Sequence, residues 1–199
     1  LVDHPKTGEK KEAERKYLLR LADDAELDPL DEVQTPSSVV AFPDARLVMV
    51  ASPAMLFAYD PILRKSMANF RLANANPHPQ IRFRRGGKEM WVEDLHTISK
   101  VDTRSWQVLD AAGPEGEVQT QEGESRPGLF GSWMFNHEES LAAVAIPDNQ
   151  EVMVVDAESM DAIAQLSFGI RPDDVQLFAD GTVMVFDREA ERFARSKLA

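Results

Sequence analysis

The stretch EVMVVDAESMDAIAQLSFGIRPDDVQLFADG, residues 151–181, contains three short apolar runs separated by polar turns. The first run, VMVVD, ends in Asp156. AIAQLSF follows after a short polar turn, and VQLF comes after Gly169 and Pro172. Short runs rich in Val and aromatic side chains, bounded by Gly, Pro or Asp, are typical of antiparallel β-strands. The stretch therefore predicts strand, strand, turn and strand, with no helix between them.

The same arrangement recurs along the chain at a nearly constant interval. A Phe closes the first strand of each unit, and these residues lie 41, 52 and 43 positions apart. An Asp closes a later strand, 18, 19 and 21 positions after its Phe. The long interval contains a Gly-, Glu- and Pro-rich insertion at 113–128. The two sets of anchors are Phe42, Phe83, Phe135 and Phe178, and Asp60, Asp102 and Asp156.

Four strands in each unit of about 40 to 45 residues are the signature of a β-propeller blade. A single four-stranded sheet cannot bury both of its faces, so such units are stable only when neighbours cover them. The sequence therefore predicts an all-β protein, a β-propeller made of four-stranded antiparallel blades with about four repeats, the last one incomplete. The predicted blades are 37–73, 79–112, 131–168 and 174–199.

Residues 1–36 lack this pattern and are predicted to form a short helix and an acidic linker. Glu9–Ala22 has apolar residues on one side and contains no Pro or Gly, which favours a helix. DDAELDPLDE, residues 23–32, contains six acidic residues and no basic one. A calcium-binding loop of the EF-hand type is the alternative, but this stretch has no central Gly and contains Pro29.

The composition excludes several classes of function. The chain of 199 residues contains 34 acidic and 22 basic side chains, for a net charge of −12, which argues against nucleic-acid binding. It has no cysteine, which excludes disulfides, thiol nucleophiles and thiolate metal sites. Its apolar stretches are far shorter than the roughly 18 residues that would predict a membrane span. The GxSxG, HExxH and P-loop motifs of common enzymes do not occur.

Two stretches of the chain, 89–114 and 151–181, resemble YVTN-type repeats, the WD40-like propellers of bacterial and archaeal surface and periplasmic proteins. The matching features are an aromatic-Val strand, a strand ending in Asp followed by Thr or Ser, and a Gly-x-x-Pro segment that leads to Asp-Gly. They are carried here by Trp91-Val92, Ile98–Asp102 with Thr103, and Gly169–Pro172 with Asp180-Gly181. The resemblance covers Ser37 to about Phe193 and implies a binding scaffold in a periplasmic or extracellular location.

The first unit departs from this pattern. Asp44-Ala45 stands where the family has Asp-Gly, and Pro61 follows the Asp of the third strand.

The number of repeats leaves three ways to close the ring. The last unit stops where its fourth strand is expected, whereas propellers contain about four to eight complete blades. A four-bladed ring could take its missing strand from the region near 31–36, or an open arc could pair with a second chain. We expect the third possibility, that the sequence is part of a longer propeller. An incomplete ring would leave blade faces and an edge strand exposed, and exposed edge strands tend to pair with other chains.

The candidate site lies on the face formed by the loops between blades and between second and third strands. His78 is predicted in one such loop and His96 in another, with Glu93 and Asp94 nearby and Arg126 in the insertion. Imidazole and carboxylate groups suit divalent metals, so these residues could form a metal or cofactor site. The simpler interpretation, which we favour, is two unrelated loop histidines. We predict no bound metal or cofactor.

Two smaller features are assigned to turns and packing. RRGGK, residues 84–88, is the only compact basic cluster, and its two Gly residues suit a hairpin turn. Trp106 and Trp133 are predicted to lie in strands and to pack between blades.

The function predicted from these observations is a non-enzymatic repeat module whose loop face binds a protein or a small ligand. The alternative is a propeller domain of a metal- or cofactor-dependent enzyme, of the oxidoreductase or lactonase-like type. Only the pair His78 and His96 favours that alternative.

Overall fold

A computed structural model describes most of the chain from residue 38 onward. The predicted N-terminal helix, the acidic linker and its calcium-loop alternative lie outside the described residues. The chain divides into two units, Leu1–Pro79 and Gln80–Ala199. The described ranges are 38–52, 55–63, 65–71, 76, 78–113, 117–119, 125–127 and 129–198.

The first unit contains one four-stranded antiparallel sheet, which we call blade 1. Its strands follow one another in sequence order. Val50 pairs with Phe57 across the two middle strands, and both side chains are buried. The strands are β1 (Ser38–Ala41), β2 (Val48–Ser52), β3 (Met55–Asp60) and β4 (Lys65–Arg71).

The second unit contains two more four-stranded sheets, a short hairpin and a three-stranded sheet, each in sequence order. Blade 2 consists of β5 (Ile81–Arg84), β6 (Glu89–Asp94), β7 (Thr97–Asp102) and β8 (Gln107–Ala112). The hairpin consists of β9 (Glu117–Gln119) and β10 (Ser125–Pro127). Blade 3 consists of β11 (Trp133–Phe135), β12 (Leu141–Ile146), β13 (Glu151–Asp156) and β14 (Ala162–Ser167). The last sheet consists of β15 (Asp174–Leu177), β16 (Thr182–Asp187) and β17 (Arg192–Lys197).

These sheets confirm the predicted all-β fold of four-stranded antiparallel blades with an incomplete last repeat. In the part of the chain that the structure describes, no helix is long and apolar enough to cross a membrane.

The repeated Asp has a structural reason. It ends the third strand of each blade, and its Oδ1 atom accepts hydrogen bonds from the backbone N–H groups two and three residues later. This arrangement fixes a tight turn, a role for which the short Asp side chain is suited. The bonds from the third residue on are 2.8 Å at Asp60, 2.6 Å at Asp102 and 2.9 Å at Asp156.

The fourth strand of each of blades 1, 2 and 3 contains a β-bulge, which the sequence did not predict. The pairing with the third strand skips one residue, which is Met67 in blade 1, Leu109 in blade 2 and Ile163 in blade 3. A bulge bends and twists an edge strand and so discourages pairing with other chains. No such shift interrupts the pairing of β16 with β17.

Blade 3 separates two hydrophobic clusters of the second unit. The first joins it to blade 2 and contains Trp91 and Trp133, whose ring centroids are 6.0 Å apart. The second joins it to the last sheet and contains Val154 and Val183. The predicted packing of Trp133 between blades is therefore confirmed. Trp106 was placed wrongly, because it lies in the turn before β8, with a left-handed φ of 59°.

The RRGGK segment forms the predicted turn, with φ of 63° at Gly86 and 89° at Gly87. The turn is not a full account of these residues. Arg84 is only 4% exposed, and its guanidinium contacts Glu89 at 2.7 Å and the backbone oxygen of Ala157 at 3.0 Å. Arg84 therefore links blade 2 to blade 3, a role that its sequence neighbours could not indicate.

Candidate functional site

One set of loops in the second unit forms a connected edge, which we call the loop edge. In an antiparallel sheet of consecutive strands, the loop before the first strand and the loop between the second and third lie at the same end. Hydrogen bonds connect these loops between neighbouring sheets: Gln80 Nε2 donates to the oxygen of Gly131 at 3.1 Å, and Phe130 N to that of Leu95 at 2.7 Å. Among the described residues, the loop edge comprises 80, 95–96, 113, 117–119, 125–127, 129–132, 147–150, 168–173 and 188–191.

Glu93 lies beneath the loop edge, at the end of β6. It is buried, and its two carboxylate oxygens accept hydrogen bonds from the backbone N–H groups of Leu95, at 2.8 Å, and Gln80, at 3.4 Å. A buried carboxylate must find such donors to offset its desolvation. Glu93 therefore fixes two loops against each other.

Asp94 ends β6, and His96 is the second residue of the two-residue turn between β6 and β7. Asp94 is buried, His96 is partly exposed, and the N–H of His96 donates to the carbonyl of Asp94 at 2.5 Å. Leu95 adopts a left-handed φ of 56°, which is rare for a bulky side chain. Because the carbonyl of Leu95 accepts a bond from the next loop, the unusual turn is held in place from outside.

His78 and Arg126 are the other two residues of the predicted site. His78 belongs to the first unit, where it is exposed and its N–H donates to Oδ1 of the buried Asn76 at 2.9 Å. Arg126 lies in β10, opposite Val118. Over the described ranges, no three His, Asp or Glu side chains are grouped so that they could hold a metal ion. A shared site of His78 and His96 stays a prediction.

Arg82 is a residue at this site that sequence analysis missed. It lies in β5, its Nε donates to the backbone oxygen of Trp133 in blade 3 at 2.9 Å, and its guanidinium carbon is 5.4 Å from the centroid of the Trp133 ring. Burial lowers the pKa of Arg82 from its ordinary value, yet an arginine stays charged in proteins. An oriented guanidinium suits a carboxylate or phosphate group. The alternation of apolar and basic residues in Ile81-Arg82-Phe83-Arg84 could have indicated that Arg82 and Arg84 share one face of the strand.

The loops of the last sheet form an ion-pair network at the same edge. The guanidinium of Arg188 contacts the carboxylate of Asp174 through Nε at 2.8 Å and Nη2 at 2.7 Å. The backbone N–H of Arg188 donates to the carboxylate of Asp173 at 2.9 Å. The Arg188 hydrogen bond lowers the pKa of Asp174. Arg171 contacts Asp173 at 3.0 Å. The sequence could not indicate these pairs, because the chain contains 34 acidic side chains.

The sheets and loops define the protein as a β-propeller scaffold. No family model and no curated protein matches the chain. Solved structures do match, and those described next are at most 14% identical, so they show the fold alone.

Three of these structures show how similar the matching folds are. Hydrazine synthase from Kuenenia stuttgartiensis matches with a TM-score of 0.58 and 12% identity, over 89% of this chain and 52% of that one. The β-propeller domain of Cps50 (Swd1) from Myceliophteria thermophila matches with a TM-score of 0.61 and 11% identity, over 83% and 54%. The WD40 repeats of RRP9 match with a TM-score of 0.57 and 14% identity, over 82% and 51%. The chain thus spans about half the length of the structures it matches.

Proposed function

We propose that the protein is a non-enzymatic β-propeller module whose loop edge binds a protein or a small ligand. The observation that supports this is the contrast between repeated sheets and unlike loops. The second and third strands are joined by a two-residue turn at 95–96 in blade 2, by a 3-10 turn at Pro147–Asn149 in blade 3, and by residues 188–191 in the last sheet. Variable loops on a rigid scaffold are where binding residues concentrate.

The rigidity of the loop edge supports the same proposal. Ser132 Oγ accepts from the N–H of Val175 at 2.9 Å, and Glu93 and Gln80 connect the neighbouring loops. A surface fixed in advance loses little conformational entropy when a partner binds.

The insertion at 113–128 indicates which charge the partner carries. It contains four acidic residues and one arginine, and its hairpin β9–β10 stands between blades 2 and 3 in the sequence. An acidic hairpin attracts a basic surface and accelerates association with it, and salt weakens that effect. We therefore expect a basic partner whose association slows as ionic strength rises.

The test replaces residues 115–127 by a short Gly-Ser link and compares affinity capture by this variant and by the unchanged chain. The proposal expects the specific partner to be lost with the hairpin. The matched control is Glu138→Lys, a charge change at an exposed position in the turn between β11 and β12, at the other end of blade 3. Partners that are lost equally from both variants, or from neither, would contradict a binding role of the loop edge.

A second experiment addresses the enzyme alternative. Metal analysis and a visible absorption spectrum of the purified protein would reveal a resident metal or chromophore. If one is present in stoichiometric amount and is lost in His78→Ala and His96→Ala variants, the non-enzymatic proposal is wrong.

We also infer membership of the YVTN-type repeats and an exported location. The support is the Gly-x-x-Pro segment leading to Asp-Gly, in which Gly169 and Gly181 have left-handed φ of 64° and 80°. Such conformations explain why these positions are glycine. Fractionation of source cells tests the location, and recovery with cytoplasmic markers would contradict it.

A further inference from the structure

The turn between β3 and β4 of blade 1 presents two large aliphatic side chains to solvent. Ile62 is 85% exposed and Leu63 is 60% exposed. Both backbone N–H groups donate to Oδ1 of Asp60, each at 2.8 Å. The exposure therefore belongs to an ordered turn, which we call the Ile62-Leu63 tip.

The fold does not require apolar residues at this tip. The turns at the same position in blades 2 and 3 are fixed by Asp102 and Asp156 through the same two hydrogen bonds. They carry Arg104-Ser105 and Glu158-Ser159 where blade 1 carries Ile62-Leu63. Polar residues thus satisfy the turn, and the aliphatic pair needs another explanation.

The charge around the tip differs from that of the chain as a whole. Residues 38–71 contain four basic and two acidic side chains, a net charge of +2, whereas the whole chain carries −12. Residues 131–168, in contrast, contain seven acidic side chains and no basic one.

Two of the bases of blade 1 stand at the end of the sheet where the tip lies. Lys65 is exposed immediately after the turn, and Arg46, with 83% of its side chain exposed, lies in the β1–β2 turn at the same end. The acids at that end are Asp60, whose Oδ1 holds the turn, and Asp44, which lies 3.8 Å from Arg46.

We propose that the Ile62-Leu63 tip inserts into the interfacial region of an anionic lipid bilayer. Exposed aliphatic side chains in an ordered turn, with exposed bases at the same end of the sheet, match the acyl boundary and the anionic headgroups of such a surface. The dominant contacts between proteins are instead enriched in Trp, Tyr and Arg, and Leu is under-represented among them. The tip lies at the opposite end of its sheet from the loop between β2 and β3, so this inference does not depend on the proposed function.

The test is sedimentation of the full chain with lipid vesicles. One set contains phosphatidylcholine alone, and the other contains about one-third phosphatidylglycerol, which supplies the negative surface potential. We expect binding to the anionic vesicles, weakened by added salt because the bases are exposed. Replacing both tip residues, Ile62→Ser with Leu63→Ser, should lower the partition constant by about tenfold or more, because the buried aliphatic area is lost. Lys65→Glu should weaken binding to the anionic vesicles and leave binding to the phosphatidylcholine vesicles unchanged.

The matched control is Arg104→Ser in the corresponding turn of blade 2, which should bind as the unchanged chain does. Thermal unfolding and circular dichroism confirm that each variant is folded, which is expected because the changed side chains are exposed. The proposal is overturned if the unchanged chain does not sediment with the anionic vesicles, or if the double Ser variant binds equally well. It is also overturned if light scattering shows that the double Ser variant dissociates a dimer, because a second copy would then cover the tip.

Discussion

Blade 3 and the last sheet have similar sequences but very different burial. In blade 3, five of the six residues of β12 and four of the six of β13 are buried, without alternation. In the last sheet, β16 alternates: Val183, Val185 and Asp187 are buried, and the residues between them are only half-buried. The strands EVMVVD and TVMVFD are nevertheless almost equally apolar. Within the second unit, blade 3 packs against a sheet on each side and the last sheet packs against blade 3, so their strands differ in burial as expected for stacked repeats.

The second face of the last sheet carries an exposed aromatic pair. An antiparallel sheet with one wet face normally alternates apolar and polar residues. Here Phe186 and Phe193 pair across β16 and β17, with ring centroids 4.6 Å apart, and Phe193 is 67% exposed. The aromatic pair lies among polar side chains on this face, because Asp174 pairs with Phe186, and Arg195 and Lys197 follow Phe193 at alternate positions of β17.

The largest contrast between the two regions should appear when their aromatic residues are truncated. Trp133 of blade 3 is fully buried against Trp91 and Phe135. Trp133→Ala removes this packing and should cost about 3–5 kcal/mol of the free energy of unfolding, measured by denaturant titration.

Trp133→Phe is the control for that variant. The indole Nε1 is buried and has no hydrogen-bond partner among the described residues. Phe keeps an aromatic ring and leaves no donor unsatisfied, so it should be much less destabilising. If Trp133→Ala cost less than about 1 kcal/mol, Trp133 could not belong to a packed core.

The second contrast concerns a buried and an exposed ion pair. Arg84→Met leaves Glu89 in a buried site where Arg85, at 2.8 Å, is its remaining charged partner among the described residues, and should cost about 3 kcal/mol. Arg188→Met breaks the exposed pair with Asp174 in the last sheet and should cost less than about 1 kcal/mol. Equal costs in urea titrations would show that Arg84 does not fasten blade 2 to blade 3.

The repeated strands and the contacts of Arg84 differ in how well the sequence could predict them. The repeated Phe and Asp residues predicted the strands and the incomplete last sheet, because both act within a few residues of their own position. Arg84 contacts the backbone of Glu139, 55 residues away, and no local pattern encodes such a contact.

The candidate site was harder to predict for a related reason. Glu93 was chosen as a possible ligand because it is a carboxylate near a histidine. Its oxygens instead receive backbone N–H groups, which every residue but proline possesses and which no sequence motif marks. The bulges at Met67, Leu109 and Ile163 were not predicted, because one extra residue in a strand leaves its apolar pattern nearly unchanged.

The two regions should respond alike to acid, because both use an Asp to hold a turn. The hydrogen bond from the N–H of Ser159 lowers the pKa of Asp156 in blade 3, and that of Ala190 lowers the pKa of Asp187 in the last sheet. A carboxylate with a lowered pKa stabilises the fold above its unfolded value and loses that contribution as the pH falls through its folded value.

We therefore expect Asp156→Ala and Asp187→Ala to lower the urea midpoint at pH 7. The difference from the unchanged chain should shrink once the pH falls below the ordinary value of 3.8. Glu138→Gln, at an exposed carboxylate in blade 3, controls for the general effect of removing a charge. A difference that stays constant down to pH 2 would exclude the carboxylate as its cause.

The smallest effect should come from the exposed aromatic pair of the last sheet. Phe193→Ala removes one ring of the exposed pair and should cost about 1 kcal/mol or less, because most of its surface is already in water. Its denaturant midpoint should therefore stay near that of the unchanged chain, while Trp133→Ala falls far below. A cost close to that of Trp133→Ala would mean that Phe193 is buried in solution. If light scattering then showed a larger particle that Phe193→Ala dissociates, a second copy of the chain would cover Phe193 in solution. The difference in burial between blade 3 and the last sheet would then hold only for the isolated chain.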